Sequence, residues 1–363
     1  MKILISPLDW GLGHATRCIP LINAAINEGH EVLIACEDRP RKLLELEFPS
    51  IESINLTGIQ IKYPKKVPMF LAMAIQFPRI ILGIIREKKL IQTIVEKHSI
   101  DVVMSDNRFG VYSSAAYNIY MSHQLTIAAP KLFKFLEPIG YFIHSLVYKK
   151  YDCLVVPDYS HDSHQHLAGR LSVHKKNKAI YLGYLSRFEN QSGENSDTNQ
   201  KFDTDIFISL SGPEPSRTQL EDKLLSILKD TTYKVVITQG LPDIQNINSK
   251  FNSTQFTVFS HLQTQDYFSE ISKAKLVIAR SGYSSIMDFL CLQKNALLVP
   301  TPGQTEQEYL AEDLKEKKLF HSSNQFDLNI ETIINALDNK IILENSNYKV
   351  SLETFWKDIE CKI

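Results

Sequence analysis

The sequence predicts an α/β protein built as two Rossmann-like domains facing each other across a cleft. Three observations carry that prediction. Short apolar runs of strand length alternate with stretches of helical apolar spacing. Each half of the chain opens with a strand, a glycine-containing turn and a helix. The pattern breaks once, in a polar run over 189–201 (ENQSGENSDTNQK), and then restarts. A chain of 363 residues is long enough to bury a core in each of two domains.

In the first half, residues 2–6 (KILIS) read as a buried strand, followed by a loop carrying Gly11 and Gly13. Residues 16–28 have helical spacing, and Gly29 ends them. Residues 31–36 (EVLIAC) read as the second strand, which completes a β-loop-α-β start of a parallel sheet. Further strands are expected at 101–104, 119–122, 153–156 and 179–182, with helices at 80–97 and 131–150. In the second half, residues 205–210 (DIFISL) read as a strand, 211–213 as a turn and 216–228 as a helix, with Ser216 and Gln219 at capping-box spacing. Strands follow at 233–238, 255–259, 276–279 and 296–300. The expected domains are 1–187 and 204–345, joined by a linker at 188–203. A last helix within 346–363 is expected to pack back on the first domain.

Composition narrows the function. Lys and Arg number 40 against 41 Asp and Glu, a net charge of -1, so a general nucleic-acid binder is disfavoured. A hydrophobic fraction of 44% with 22% charged residues is that of an ordinary globular protein and argues against disorder. The five cysteines are scattered without a CxxC, which argues against a zinc module or disulfide framework and suits a reducing cytosol. No secretory signal is read at the N-terminus. The most apolar stretch, 67–85, is interrupted by Gln76, Pro78, Arg79 and Gly83, so it is not expected to span a membrane.

Four segments can carry chemistry. The first is 9–17, where Gly11 and Gly13 let backbone N–H groups approach a ligand and Thr16 opens a helix; this suits an anion or diphosphate. His14 in that loop can act as a general base near neutral pH, or can simply cap a tight turn. The second is Ser105-Asp106-Asn107-Arg108, at the end of the strand DVVM and pointing into the cleft. Asp106 can orient and charge-stabilise a histidine, or can serve as an N-cap. His123 follows the next strand near the same edge, and reads as a site residue or as a satisfied core histidine. The third is 279–289, where Arg280, Ser281 and Gly282 form a turn into a helix with free N–H groups, and Asp288 lies one and a half turns along, placed to accept ribose hydroxyls. The fourth is 299–308, where Glu306 and Gln307 open a helix and can bond sugar hydroxyls.

The combination of GLGHATR, ARSGYSSIMDF and VPTPGQTEQEYLAEDL resembles the GT-B glycosyltransferases, closest to the MurG-like group with a family 28-type C-terminal domain. The resemblance implies that the N-terminal domain binds the acceptor, with Gly11, Gly13 and His14 in its glycine-rich loop. It implies that the C-terminal domain binds a nucleotide-sugar, commonly UDP-linked. There Ser211, Gly212, Ser281 and Gly282 would face the diphosphate, Asp288 the ribose, Glu306 and Gln307 the sugar, and His261 the base. His14 and Asp106 are similar to the histidine–aspartate pair of plant-type GT-B enzymes. Asp288 stands where the family usually has Glu, and EQEYLA replaces the HQxxNA-like pattern of the peptidoglycan enzyme. A related transferase with another acceptor therefore fits better than that enzyme itself.

The resemblance thus implies an inverting glycosyltransferase that moves an N-acetylhexosamine or hexose to a hydroxyl of a lipid-linked or cell-envelope acceptor. His14 would be the base, Asp106 its orienter, and Arg280 with the Ser281-Gly282 dipole would stabilise the leaving group. Neither a metal nor another cofactor is expected; the nucleotide-sugar is a substrate. Two other readings use the same fold: a nucleotide-sugar hydrolase or 2-epimerase, and a non-catalytic binding subunit. The tract 161–166 (HDSHQH) reads as a solvated loop before it reads as a metal site. Segments 64–89 and 131–150 are apolar with flanking cations. They read first as core-facing helices, and otherwise as a peripheral contact with the cytoplasmic face of an anionic membrane.

Overall fold

The computed structural model describes residues 1–58, 69–125, 144–160, 162–163, 165–171, 179–189, 202–244, 253–341, 343 and 351–363. The expected linker at 188–203, the helix at 131–150, the HDSHQH tract and the start of the 64–89 segment fall partly or wholly outside them. The chain divides into two compact units. Unit 1 comprises Met1–Asp9, His14–Leu185 and Asn347–Ile363; unit 2 comprises Trp10–Gly13 and Ser186–Ser346.

Unit 1 carries a seven-stranded parallel sheet: β1 (Lys2–Pro7), β2 (Glu31–Cys36), β3 (Ser53–Asn55), β4 (Val102–Asp106), β5 (Tyr117–Met121), β6 (Cys153–Val156) and β7 (Ala179–Tyr181). They lie in the order β3-β2-β1-β4-β5-β6-β7. The apolar runs of β1, β2 and β4 are buried on both faces, as a parallel sheet covered by helices requires. The helices α1 (Leu12–Asn27), α2 (Asp38–Glu47) and α3 (Met69–His98) supply part of that cover. Ile91 and Val95, one turn apart on α3, join Leu4, Leu33 and Val103 in one core cluster. Gly29, at φ +78°, ends α1 in the left-handed conformation.

Unit 2 repeats the plan with β8 (Thr204–Ser209), β9 (Val235–Thr238), β10 (Phe256–Phe259), β11 (Ala274–Ala279), β12 (Ala296–Leu298) and β13 (His321–Ser322), all parallel, in the order β10-β9-β8-β11-β12-β13. Its helices are α4 (Ser216–Leu228), α5 (Thr264–Ser272), α6 (Tyr283–Cys291), α7 (Thr305–Glu316) and α8 (Ile330–Asp338). Leu220, Leu224 and Leu228 form an i, i+4, i+8 stripe on α4, packed against Ile206 and Ile208 of the sheet. A last helix, α9 (Leu352–Glu360), belongs to unit 1. Its Trp356 is fully buried, and the indole N–H donates to Leu21 O at 3.0 Å.

The sequence-read elements differ from these in instructive ways. Helix α1 begins at Leu12 rather than Thr16, so Gly13 and His14 sit in its first turn and not in a loop. Strand β4 runs on to Asp106, which makes the carboxylate the last strand residue. Helix α4 is not closed by a capping box: Pro215 is the N-cap residue and makes no side-chain cap bond. The short elements α2, β3, α5, α8 and β13 are absent from the sequence reading. Runs of two or three strand residues, such as β3 and β13, are too short for an alternating pattern.

Candidate active site

In each unit the strand order reverses next to its first strand, and ligands of doubly wound sheets bind beyond the carboxyl ends at that switch point. In unit 1 the switch lies between β1 and β4. Register places Pro7 of β1 beside Asp106 of β4, and Asp106 beside Met121 of β5. Hence the chain after β1, the end of β4 and the chain after β5 emerge together. They deliver His14, Asp106 and His123 to one place.

The local chain makes that delivery exact to an atom. Asn107 follows Asp106 with φ +61°, a left-handed turn that asparagine tolerates. Its side-chain oxygen accepts from Tyr120 Oη at 2.9 Å and Ser122 Oγ at 3.3 Å. Its N–H donates to Met121 O at 3.0 Å. The strand therefore stops at Asp106 with the carboxylate fixed.

His14 Nδ1 lies 3.0 Å from Asp106 Oδ2. Arg17, one helical turn after His14, forks onto the same carboxylate: Nε donates to Oδ2 at 2.8 Å and Nη2 donates to Oδ1. Nη2 is also 2.8 Å from His14 Nδ1, and Nη1 is 2.9 Å from His123 Nδ1. Asp106 and Arg17 are fully buried and His123 nearly so, while the His14 side chain keeps 18% of its surface exposed. No hydrogen bond reaches His14 Nε2 among the described residues. Burial pushes the Asp106 carboxyl up, but Arg17 and His14 outweigh it and hold it at about 2. Burial, with the Arg17 charge added, lowers the pKa of His14. A neutral imidazole paired with a permanent carboxylate is the state a general base requires.

The rest of the Ser105–Arg108 cluster turns inward. Arg108 is buried and pairs with Asp9 Oδ2 at 2.9 Å and Glu87 Oε1 at 2.7 Å, while Ser105 Oγ donates to Arg108 O. Asp9, close to Glu37 and Glu87 as well, is raised by burial to about 7. Gly11 and Gly13 flank the start of α1, and Thr16 lies in that helix. A Cβ added at Gly11 meets no atom within 4 Å, so packing does not demand glycine there.

In unit 2 the switch lies between β8 and β11, with Ser209 beside Ala279. Two turns leave it together: Leu210-Ser211-Gly212, with Gly212 at φ +103°, and Arg280-Ser281-Gly282, which leads into α6. Gly282 is the N-cap residue of α6 and, lacking a side chain, leaves the first N–H groups uncapped by any side chain of its own. Ser281 Oγ donates to Gln307 O at 2.8 Å, and Gln307 Oε1 accepts from Thr301 N at 2.9 Å, so both side chains tie the turn to the loop after β12. Glu306 stands in the first turn of α7.

Arg280 does not reach out as an available cation. Its Nη1 donates to the carbonyls of Val299 and Pro300, and its Nη2 to Ser216 O and Gln325 Oε1. Burial lowers its pKa to about 10. Asp288 is also engaged, accepting from Ser186 Oγ at 2.7 Å and pairing with Arg187 at 3.4 Å; burial raises its pKa. Arg187 lies over the rings of Tyr267 and Phe188. His261 follows β10, and burial with the nearby Arg187 charge lowers it to about 4. The buried polar atoms here without a hydrogen-bond partner among the described residues include Arg187 Nε, His261 Nε2, Arg280 Nε, Thr301 Oγ1 and Gln304 Oε1.

The sequence reading thus finds His14, Asp106 and His123 but misses Arg17, which joins all three. The i, i+3 spacing of His14 and Arg17 on one helix face was the available signal. It also misses Arg187, Thr301 and Gln304, which carry no pattern of their own.

Residues 216–360 match the model of the Glycosyltransferase family 28 C-terminal domain. The chain is 25% identical over 339 residues to an uncharacterized glycosyltransferase of Methanosarcina acetivorans, covering 87% of this chain and 84% of the relative. A second such relative, from Methanosarcina mazei, is 25% identical over 365 residues, with 94% and 91% covered. Among solved structures, the glycosyltransferase SnogD from Streptomyces nogalater superimposes with a TM-score of 0.64 at 13% identity, over 99% of this chain and 98% of that one. Acinetobacter baumannii MurG superimposes with a TM-score of 0.56 at 12% identity, over 100% and 99%. The glycosyltransferase VinC in complex with DTDP does so at 0.55 and 13% identity, over 99% and 95%. Residues 216–360 thus carry a glycosyltransferase family 28-type C-terminal domain, and the two parallel-sheet α/β domains have the fold of the GT-B glycosyltransferases.

Proposed function

We propose that this chain is a glycosyltransferase that inverts the anomeric centre of a nucleotide-sugar, with His14 as the base. The observation that carries the proposal is the His14–Asp106 pair at the switch point of unit 1: a neutral ring, oriented by a permanently ionised carboxylate, whose Nε2 edge is unengaged. In the proposed reaction His14 Nε2 takes the proton of an acceptor hydroxyl. The hydroxyl oxygen attacks the anomeric carbon, and the bond from that carbon to the diphosphate oxygen breaks, the electron pair leaving with the diphosphate.

Unit 2 is the proposed donor site. The N–H groups of the Ser211-Gly212 and Ser281-Gly282 turns, together with the positive end of α6, would face the diphosphate. Asp288 would take the ribose hydroxyls in place of Ser186 Oγ, Glu306 and Gln307 would hold the sugar, and His261 would lie beside the base. Arg280, tied to carbonyls, would act on the leaving group by its charge and not by contact. We favour UDP as the nucleotide, and VinC, solved with DTDP, supports a nucleoside diphosphate of some kind. The chemistry derived from the chain's own residues requires no metal.

We favour a lipid-linked acceptor met at an anionic membrane surface. On α3, Ile75, Phe77, Leu82 and Ile85 are exposed, Ile75 at 71%, among the exposed cations Arg79, Arg86, Lys88 and Lys89. No described helix is long and apolar enough to cross a membrane.

The test is calorimetric titration with UDP, dTDP, GDP and CDP in the presence of a chelator. Micromolar binding of one of them, lost in Gly212→Ala, supports the donor site and fixes the base. Absence of binding by all four overturns it. Sugar release without transfer to any acceptor would instead point to a hydrolase.

A further inference from the structure

Arg17 belongs to neither proposed substrate, yet it touches every ionisable member of the unit 1 cluster. It is a donor only, with its hydrogens in a planar fork. Two of its nitrogens hold the two oxygens of Asp106, so the carboxylate cannot rotate away from His14. A third nitrogen faces His123 Nδ1 at 2.9 Å. Because Arg17 can only donate, that ring nitrogen must be the acceptor, and the His123 proton must lie on Nε2. His14 Nδ1 faces an acceptor, Asp106 Oδ2, at 3.0 Å and a donor, Arg17 Nη2, at 2.8 Å. Asp106 favours a proton on Nδ1, which leaves Nε2 with its lone pair; Arg17 favours Nδ1 as an acceptor and so opposes a second proton on the ring.

We propose that Arg17 is a positioning residue: its fork fixes Asp106 against His14, its charge opposes a second proton on the His14 ring, and its Nη1 holds His123 as the Nε2–H tautomer. The proposal deepens the reading of His14 as a base and rests on it for its catalytic meaning. The charge arithmetic is simple. Arg17 and Asp106 form a buried pair beside the His14 ring, so a second proton on that ring adds a cation next to the Arg17 charge. Cys18 on α1, 4.0 Å from Asp106 Oδ2, and Tyr120 on β5 also face the cluster, and burial raises both, so they stay neutral.

The experiment reads the rings directly and needs no substrate. The chain is labelled with ¹⁵N-histidine, and the ring nitrogens of His14 and His123 are followed by NMR against pH, assigned through His14→Gln and His123→Gln. In the wild type, His14 titrates below the ordinary histidine range and the His123 Nδ1 signal is that of an unprotonated nitrogen. In Arg17→Gln the His14 titration moves up, because Asp106 then acts on the ring unopposed. In Arg17→Lys, which keeps the charge but not the fork, it returns toward the wild-type position. An Arg17→Gln protein that keeps its circular dichroism and leaves the His14 titration unmoved overturns the proposal. So does a wild-type His123 protonated on Nδ1, a result available even where Arg17→Gln fails to fold. Loss of the transferase reading would leave these titrations unchanged, so the two ideas fail separately.

Discussion

The two switch points have the same sheet topology and opposite chemistry. In unit 1 the buried arginines near the ends of β1 and β4 have counter-charges at hydrogen-bond distance: Arg17 on Asp106, and Arg108 on Asp9 and Glu87. In unit 2 the corresponding arginine, Arg280, is bound by carbonyls and an amide, and buried polar atoms of His261, Thr301 and Gln304 stand unpaired. The first arrangement fixes protonation states and is suited to moving a proton. The second leaves polarity unmatched until something polar arrives, which suits a ligand. One topology therefore supports two roles, and the side chains at the turns decide which.

The largest effect expected from breaking this contrast is kinetic. His14→Ala should lower turnover by about 10²–10⁴-fold, the usual worth of a positioned base. It should leave nucleoside diphosphate affinity intact by calorimetry; loss of affinity would put His14 in the donor site. The next is structural. Asp106→Ala removes the buried carboxylate onto which Arg17 forks, and urea unfolding should show a loss of about 3–5 kcal/mol. Arg280→Met removes a cation that has no carboxylate partner among the described residues, so its cost should be smaller; an equal cost would mean that the oxygens around Arg280 hold it as strongly as Asp106 holds Arg17.

How much of this was legible in the sequence differs between the units. The strands KILIS, EVLIAC and DIFISL are continuous apolar runs, and burial on both faces makes such runs unmistakable. His14, Asp106 and His123 each follow a readable strand, so parallel register alone brings them to one edge. Arg17 was hidden because a cation on a helix is ordinarily solvated, and only the fold shows that this face turns inward. The role expected of Arg280 was visible as charge, but its direction was not: the carbonyls that bind it come from three separate segments. The α1 boundary was misread because two glycines suggested a loop, whereas Gly13 is simply tolerated in a first helical turn.

A third prediction concerns the other carboxylate cluster of unit 1. Asp9 has a folded pKa of about 7, raised from an ordinary value of 3.8 chiefly by burial, with Glu37 and Glu87 adding to it and Arg108 opposing it. The folded chain then holds a proton that the unfolded chain has released. Stability should decline as pH rises from about 4 to about 7, by the linkage between proton uptake and folding. Asp9→Asn removes that decline while keeping the shape of the side chain. Parallel denaturation curves of wild type and variant across that range would show that the Asp9 proton is not linked to folding.

The smallest effect sharpens the reading of unit 2. Thr301 Oγ1 is buried and unpaired, while the Thr301 backbone N–H is held by Gln307. Thr301→Val deletes the hydroxyl and keeps the β-branched shape. In a protein that uses the hydroxyl only for packing, an unsatisfied buried group is a liability, so the free protein should unfold within about 1 kcal/mol of wild type or be slightly more stable. If the hydroxyl awaits a polar ligand, the same substitution must cost something when the ligand binds. The melting-temperature rise produced by the preferred nucleotide-sugar should therefore shrink in Thr301→Val, while that produced by the nucleoside diphosphate alone need not. A rise of equal size in both proteins would assign Thr301 to packing, and the unpaired atoms of unit 2 would then mark looseness in the loop after β12 and not a place prepared for the sugar.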